Sequence, residues 1–183
     1  MYWSWIIIGA VAIIVIWFIA SYNSLVRLRN MVREAFSTMD VYMKKRYDLI
    51  PNLVETVKGY ASHERATLER VISARNVAAG ATNLQERIEG ENALAGTLKS
   101  LFALAEAYPD LKANSSFLDL QRQLQSVEAD IANSRKYYNS VVRIYNTKTQ
   151  SFPSVIVASI FGFGHEPLFE INNPERENVK VEF

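Results

Sequence analysis

The first twenty positions of the chain carry no polar stripe. Only Ser4 is appreciably polar before residue 21, and Ile6, Ile7, Ile8, Ile13, Ile14, Ile16 and Ile19 cover the whole circumference of a helix. A core helix of a soluble protein needs one apolar face, not a complete apolar surface, so this run predicts a membrane span. About 20 residues at about 1.5 Å rise cover roughly 30 Å, the hydrocarbon thickness of a bilayer. Trp3 and Trp5 near one end, and Trp17, Phe18 and Tyr22 near the other, stand at the levels where aromatic belts form. A cleaved signal peptide calls for a basic residue before the apolar run and a small-x-small site after it. The chain has neither, only Ile19-Ala20-Ser21, which predicts an uncleaved anchor.

Beyond residue 21 the apolar positions recur in steps of three and four. Leu25, Leu28, Val32, Ala35 or Phe36, Met39 and Met43 predict an amphipathic helix over 22–46, continuous with the span because no Gly or Pro intervenes. Asp48-Leu49-Ile50-Pro51 predicts a tight helix–helix turn, since Asp suits a helix cap and Pro a first turn. Val54, Val57, Ala61, Leu68, Val71, Ile72 and Ala78 mark a second helix, 49–79, weakened by Gly59 and ended by Gly80. Asn83 and Glu86 have capping-box spacing and open a third, 84–108, with Leu84, Ile88, Leu94, Leu98, Leu101, Phe102 and Ala105 on its apolar face. Tyr108-Pro109-Asp110 stops it. Ser116, three residues before Asp119, opens a fourth, 116–149, whose seam runs through Phe117, Leu120, Leu124, Val127, Ile131, Ser134, Tyr138, Val141 and Tyr145.

Four such helices with short connections predict an all-α fold, an antiparallel up-and-down four-helix bundle over 22–150 behind a transmembrane anchor over 1–21. After Gln150, Pro153, Gly162, Gly164, Pro167 and Pro174 interrupt regular structure around an apolar segment, 155–163. Residues 151–183 are therefore read as a short irregular C-terminal tail, with 178–183 as an extended end.

Length and charge narrow the functional classes. A chain of 183 residues holds one span and one ordinary domain. The balance of 20 basic against 19 acidic residues lacks the basic excess of a nucleic-acid binder. With no Cys, disulfides, thiolate metal sites and Cys nucleophiles are excluded. Arg27, Arg29 and Arg33 follow the span while no basic residue precedes it, so the N-terminus is expected outside and the domain in the cytoplasm. The same three arginines are candidate contacts for anionic lipid. Lys44-Lys45-Arg46 reads as a favourable helix end.

Catalytic signals are weak. His63-Glu64 begins like a zinc-protease motif, but the position of the second His is Thr67, and the other His, His165, lies in the tail. Glu64, Arg75, Glu128 and Arg135 stand on or beside apolar faces and read as a structural ion-pair network, with a carboxylate-dependent hydrolase as the alternative. The Tyr-Asn pairs at Tyr138-Asn139 and Tyr145-Asn146 read as packing, and Asn114-Ser115-Ser116 matches the glycosylation pattern where a helix cap is expected. No Gly-rich phosphate loop or nucleophile elbow occurs. No catalytic, metal-binding or cofactor-binding residue is assigned, and no cofactor is expected. Val155, Ile156, Ile160, Phe161 and Phe163 form an apolar excess that is a candidate self-association surface.

Several strings carry a resemblance: Tyr22-Asn23-Ser24-Leu25-Val26, then Arg46-Tyr47-Asp48-Leu49-Ile50-Pro51-Asn52-Leu53-Val54, then Tyr108-Pro109-Asp110-Leu111-Lys112-Ala113-Asn114. With Ala132-Asn133-Ser134-Arg135-Lys136-Tyr137-Tyr138-Asn139 and Val142-Arg143-Ile144-Tyr145-Asn146, the chain resembles the LemA family. The resemblance implies a bacterial, single-pass inner-membrane protein with a bromodomain-like four-helix bundle and no established enzymatic activity. It also brings two associations, a magnetosome relative linked to membrane shaping and a neighbouring membrane metalloprotease of the HtpX type. The expectation is a homo-oligomeric, non-enzymatic scaffold that contacts the lipid bilayer and organises or remodels the inner membrane. The alternative is an adaptor that presents or regulates substrates for a membrane protease.

Overall fold

A computed structural model of the protein describes residues 2–170. These residues form α1 (Tyr2–Lys58), α2 (Arg65–Gly80), α3 (Leu84–Ala105), α4 (Pro109–Lys112), α5 (Ser115–Gln150) and α6 (Ser154–Phe161), with no strand among the described residues. The extended end expected at 178–183 lies outside the described residues.

The turn expected at 48–51 is absent. α1 is one helix of 57 residues with Pro51 inside it. Proline has no N–H, so the Tyr47 carbonyl one turn earlier loses its intrahelical donor. Arg75 on α2 supplies the replacement, its Nε donating to that carbonyl at 3.1 Å. Asp48, expected as a cap, is an exposed mid-helix residue. The break comes instead at Gly59, where the Tyr60 and Ala61 N–H groups both turn back to the Val57 carbonyl, at 3.0 and 2.9 Å. The expected second helix is thus divided: its first ten positions extend α1, and the remainder, after 59–64, is α2.

The other starts and stops shift less. Asn83 caps α3 by accepting the Glu86 N–H at 2.9 Å, while the Glu86 carboxylate reaches back to the Thr82 N–H and hydroxyl, both at 2.9 Å. These hydrogen bonds from Thr82 hold the Glu86 carboxyl below its ordinary pKa. α3 ends at Ala105, short of the expected 108, because Pro109 opens the separate turn α4. α5 starts at Ser115 and is capped by Asn114, not Ser116: the Asn114 Oδ1 accepts the Phe117 N–H at 2.9 Å. Gly162, with φ +67°, terminates α6, its N–H donating to the Ala158 carbonyl.

The chain groups into two compact units. In the first, residues up to Asp40 join Ala132–Leu168, and Leu25, Val32, Ala35 and Met39 of α1, Tyr138, Val141, Val142 and Tyr145 of α5, and Val157 and Ala158 of α6 are buried. Phe36 meets Tyr138 edge-on, ring centroids 5.9 Å apart. The second takes in Val41–Ile131 with Phe169, and buries Met43, Ile50, Leu53 and Val57 of α1 together with Leu68 and Val71 of α2, Leu94, Leu98 and Leu101 of α3, and Leu124 and Val127 of α5. There α2 and α3 approach so closely at Gly90 that a Cβ on it would lie 2.7 Å from the Ala78 Cα. Only glycine fits at that crossing.

Candidate functional site

The most buried charges lie in the second unit. Arg46 of α1 is 2% exposed and Glu91 of α3 is 1% exposed. The Arg46 Nη2 pairs with one Glu91 oxygen, and the Tyr47 hydroxyl donates to the other. The second Arg46 fork nitrogen, Nη1, donates to Glu128 Oε1 of α5 at 2.7 Å, so one guanidinium joins three helices. The Glu128 side chain is 45% exposed and carries the cluster to the surface. The planar guanidinium fork suits this two-carboxylate arrangement, where the point charge of a lysine would not. The arrangement neutralises the Arg46 charge with two carboxylates and ties α1 to α3 and α5.

The residues read from the sequence as one ion-pair network are distributed. Glu128 belongs to the Arg46 cluster, and Arg75 lies beside it through the Tyr47 carbonyl. Glu64 accepts from the Tyr108 hydroxyl at 3.4 Å. Desolvation, reinforced by the Glu64 charge, raises the Tyr108 pKa. Arg135 is half-buried and belongs to the first unit. Among the described residues these four are not bonded to one another. Sequence reasoning missed Arg46, Tyr47 and Glu91, and took Arg46 with the exposed Lys44 and Lys45 as a helix end. The signal was periodicity: Arg46 lies three residues after Met43 and four before Ile50, and Glu91 lies three residues from both Ile88 and Leu94. Each is a charge standing on an apolar stripe.

His63 and His165 are both exposed, one in each unit, and His165 Nε2 lies 3.1 Å from the Asn146 Nδ2. Among the described residues, no group of three or more His, Cys, Asp or Glu could hold a metal ion. An open groove of about 830 Å³ runs along the end of α1 and α2, with Val54, Leu68, Ile72 and Val77 on its walls and Glu55, Lys58, Arg65 and Glu69 around them.

The first unit contains the apolar start of α1. Its most apolar window has a mean hydropathy of 2.5 and is only 6% buried, so this stretch of α1 is not part of the core. The side chains of Trp3, Ile8, Ile13 and Ile16 all point outward. Burial begins at Ser21 and Leu25. Beside that transition sits α6: the Phe161 ring lies 5.9 Å from Phe18 and 4.7 Å from Tyr22. Phe163 lies 5.8 Å from Tyr22, with the Arg29 guanidinium 4.8 Å over its ring.

These contacts sort the sequence candidates. Arg27 and Arg33 are exposed, whereas Arg29 is half-buried against Phe163. Ile156, Ile160 and Phe161 are exposed, Val155 is half-buried, and Phe163 is buried as a packing residue. The segment after α6 is held to α5 by Asn146, which donates to the Glu166 carbonyl at 2.8 Å and accepts the Glu166 N–H at 2.9 Å. The Tyr138 hydroxyl donates to the Pro167 carbonyl at 2.9 Å. Burial, with the Glu166 charge second, pushes the Tyr138 hydroxyl up to about 12, and the same two causes raise Tyr145.

Comparison with known proteins agrees with the motifs. A protein described as Protein LemA, from Metamycoplasma hominis, is 26% identical over 161 residues, covering 86% of this chain and 72% of its own length. The sequence model of the LemA family matches residues 35–183, a stretch that takes in both the Arg46 cluster and α6, and the chain belongs to the LemA family.

Proposed function

We propose that the protein is a non-enzymatic scaffold, anchored in the bacterial inner membrane by the start of α1, whose copies associate and organise or remodel the bilayer. One observation carries this reading: α1 passes without a break from an exposed apolar run to positions buried in the protein, Leu25, Val32, Met39 and Ile50 among them. A core helix does not expose such a run, and a signal peptide is not the first third of a domain helix. The domain is cytoplasmic in this reading, because Arg27, Arg29 and Arg33 follow directly on the span. Its helices pack as an antiparallel up-and-down bundle, in keeping with the family resemblance and the short connection at 81–83. The Arg46 cluster fixes register and does no chemistry.

Reconstituted into liposomes and imaged by electron cryomicroscopy, the full chain is expected to cluster and to alter vesicle shape. Dispersed protein on undeformed vesicles at the same density overturns the proposal.

A second reading, an adaptor for a membrane protease, draws on the groove of about 830 Å³ along α1 and α2, whose apolar walls and charged margins suit an extended or helical peptide. If removing the protease leaves every phenotype of deleting this protein unchanged, that reading fails.

A further inference from the structure

We infer that α6 is a second membrane element, a short helix lying in the interfacial layer of the same leaflet from which α1 emerges, with lipid as the occupant of its outer face. The inference deepens the scaffold reading and rests on the start of α1 being a membrane span.

The composition of α6 is anomalous for a helix on a water-facing surface. No charged residue occurs from Thr149 to Gly164, and α6 itself reads Ser-Val-Ile-Val-Ala-Ser-Ile-Phe. One side is accounted for: Ser154, Val157 and Ala158 are buried in the first unit. The other side carries Ile156 at 47% and Ile160 at 63% exposure, with Phe152 at 82% just before the helix, whereas Phe161, one turn beyond Val157, continues the inner side onto α1. Ile156 and Ile160 are one turn apart and share a face. A surface helix normally turns charged residues outward, and a helix apolar on both sides requires an apolar neighbour on both.

Its position identifies the neighbour. The Phe161 ring packs at a tilt against Phe18 and Tyr22, the aromatic residues that end the span. At about 1.5 Å per residue, those two contacts lie within about 6 Å of each other along α1, which sets the end of α6 at the level of the aromatic belt. Arg27 follows in the exposed position expected of a headgroup contact, and Arg29 caps the Phe163 ring on the water side of that level. An interfacial helix buries its apolar face about 5–10 Å into the headgroup–acyl boundary, a depth that Ile156 and Ile160 can reach together. Inserted in one leaflet only, α6 adds area to that leaflet. This gives the scaffold a physical means of acting on curvature.

The absence of cysteine makes the test direct, because each introduced thiol is unique. Nitroxide labels are placed at Ile156→Cys, Ile160→Cys and the conservative Ser159→Cys in the full chain, reconstituted in vesicles of phosphatidylethanolamine and phosphatidylglycerol. Ile14→Cys serves as the mid-span reference and Tyr137→Cys, exposed on α5, as the water reference. Collision with oxygen and with a water-soluble nickel chelate is read by electron paramagnetic resonance. The inference predicts that labels at 156 and 160 collide more with oxygen than with nickel, as at 14, and unlike at 137. Nickel access at 160 equal to that at 137 overturns it, and so does shielding from both reagents, which indicates a second copy on this face. Water-like behaviour at 14 overturns the span itself, whereas lipid-like behaviour at 14 with water-like behaviour at 156 and 160 overturns α6 alone. Ser159→Cys, which removes no apolar side chain, must give the shallow, partly lipid-exposed value of a helix at the interface. A water-like value there alongside water-like 160 excludes disruption by the isoleucine substitutions as the cause.

Discussion

Arg75 donates its Nε to the Tyr47 carbonyl, the one backbone acceptor that Pro51 deprives of its helical partner. A proline inside a helix costs about 3 kcal/mol in isolation. Here a side chain from α2 replaces the missing donor and keeps α1 whole. Replacing Arg75 with Ala is expected to destabilise the protein by about 1–3 kcal/mol, the range for a buried acceptor left unsatisfied. In a Pro51→Ala background, where residue 51 regains an N–H, the same substitution is expected to cost clearly less. Denaturant melts of the four proteins in one detergent measure the coupling; additive effects would count against the arrangement.

The Arg46–Glu91 pair is expected to be costly to break and cheap to replace. Arg46→Ala strands the Glu91 carboxylate among three helices, with an expected loss of about 3–5 kcal/mol. The apolar double variant Arg46→Met with Glu91→Leu is expected to recover most of that loss. Thermal melts followed by circular dichroism decide the matter, and a double variant as unstable as the single one is the adverse result.

Two glycines on α3 give a paired test. Gly90→Ala forces a Cβ to within 2.7 Å of the Ala78 Cα, where neither backbone can yield cheaply, and a loss of about 1–3 kcal/mol is expected. Gly96 has open space around its Cβ position, and Gly96→Ala is expected to stabilise by about 0.5–1 kcal/mol through helix propensity alone. Opposite signs in denaturant midpoints bear out the close crossing; equal signs do not.

Alkali is expected to loosen the first unit. Tyr138 titrates at about 12 in the folded chain against an ordinary 10.0. The fold favours its neutral form, so this contribution is complete below the unfolded value and is lost as pH rises from there through the folded one. Tyr145 is shifted in the same direction. The melting temperature is expected to fall over that window, and Tyr138→Phe to flatten the fall while giving up the hydrogen bond to Pro167. An unchanged slope in the variant would assign the effect elsewhere.

The helices were legible because their apolar positions repeat locally, and the candidate span because its composition leaves no polar face. What escaped was decided by partners distant in sequence. Pro51 looks like a start signal until Arg75 is known to be opposite Tyr47, and the milder signal, Gly59, is where the chain actually turns. Asn114 and Ser116 are both competent caps, and the geometry of the α4 turn selects Asn114. Glu128 was singled out as a charge on or beside an apolar face, but its partner Arg46 was absorbed into a basic run whose other members, Lys44 and Lys45, are exposed. α6 appeared as an apolar excess; which of its sides is free became visible only with Phe163 and Val157 packed.

Native mass spectrometry of the full chain, extracted from membranes in mild detergent, tests the central claim most directly. An uncleaved, self-associating scaffold predicts assemblies built from multiples of the 20.8 kDa chain, each copy retaining residues 2–20. A strict monomer, or a chain shortened by loss of the apolar run, contradicts it.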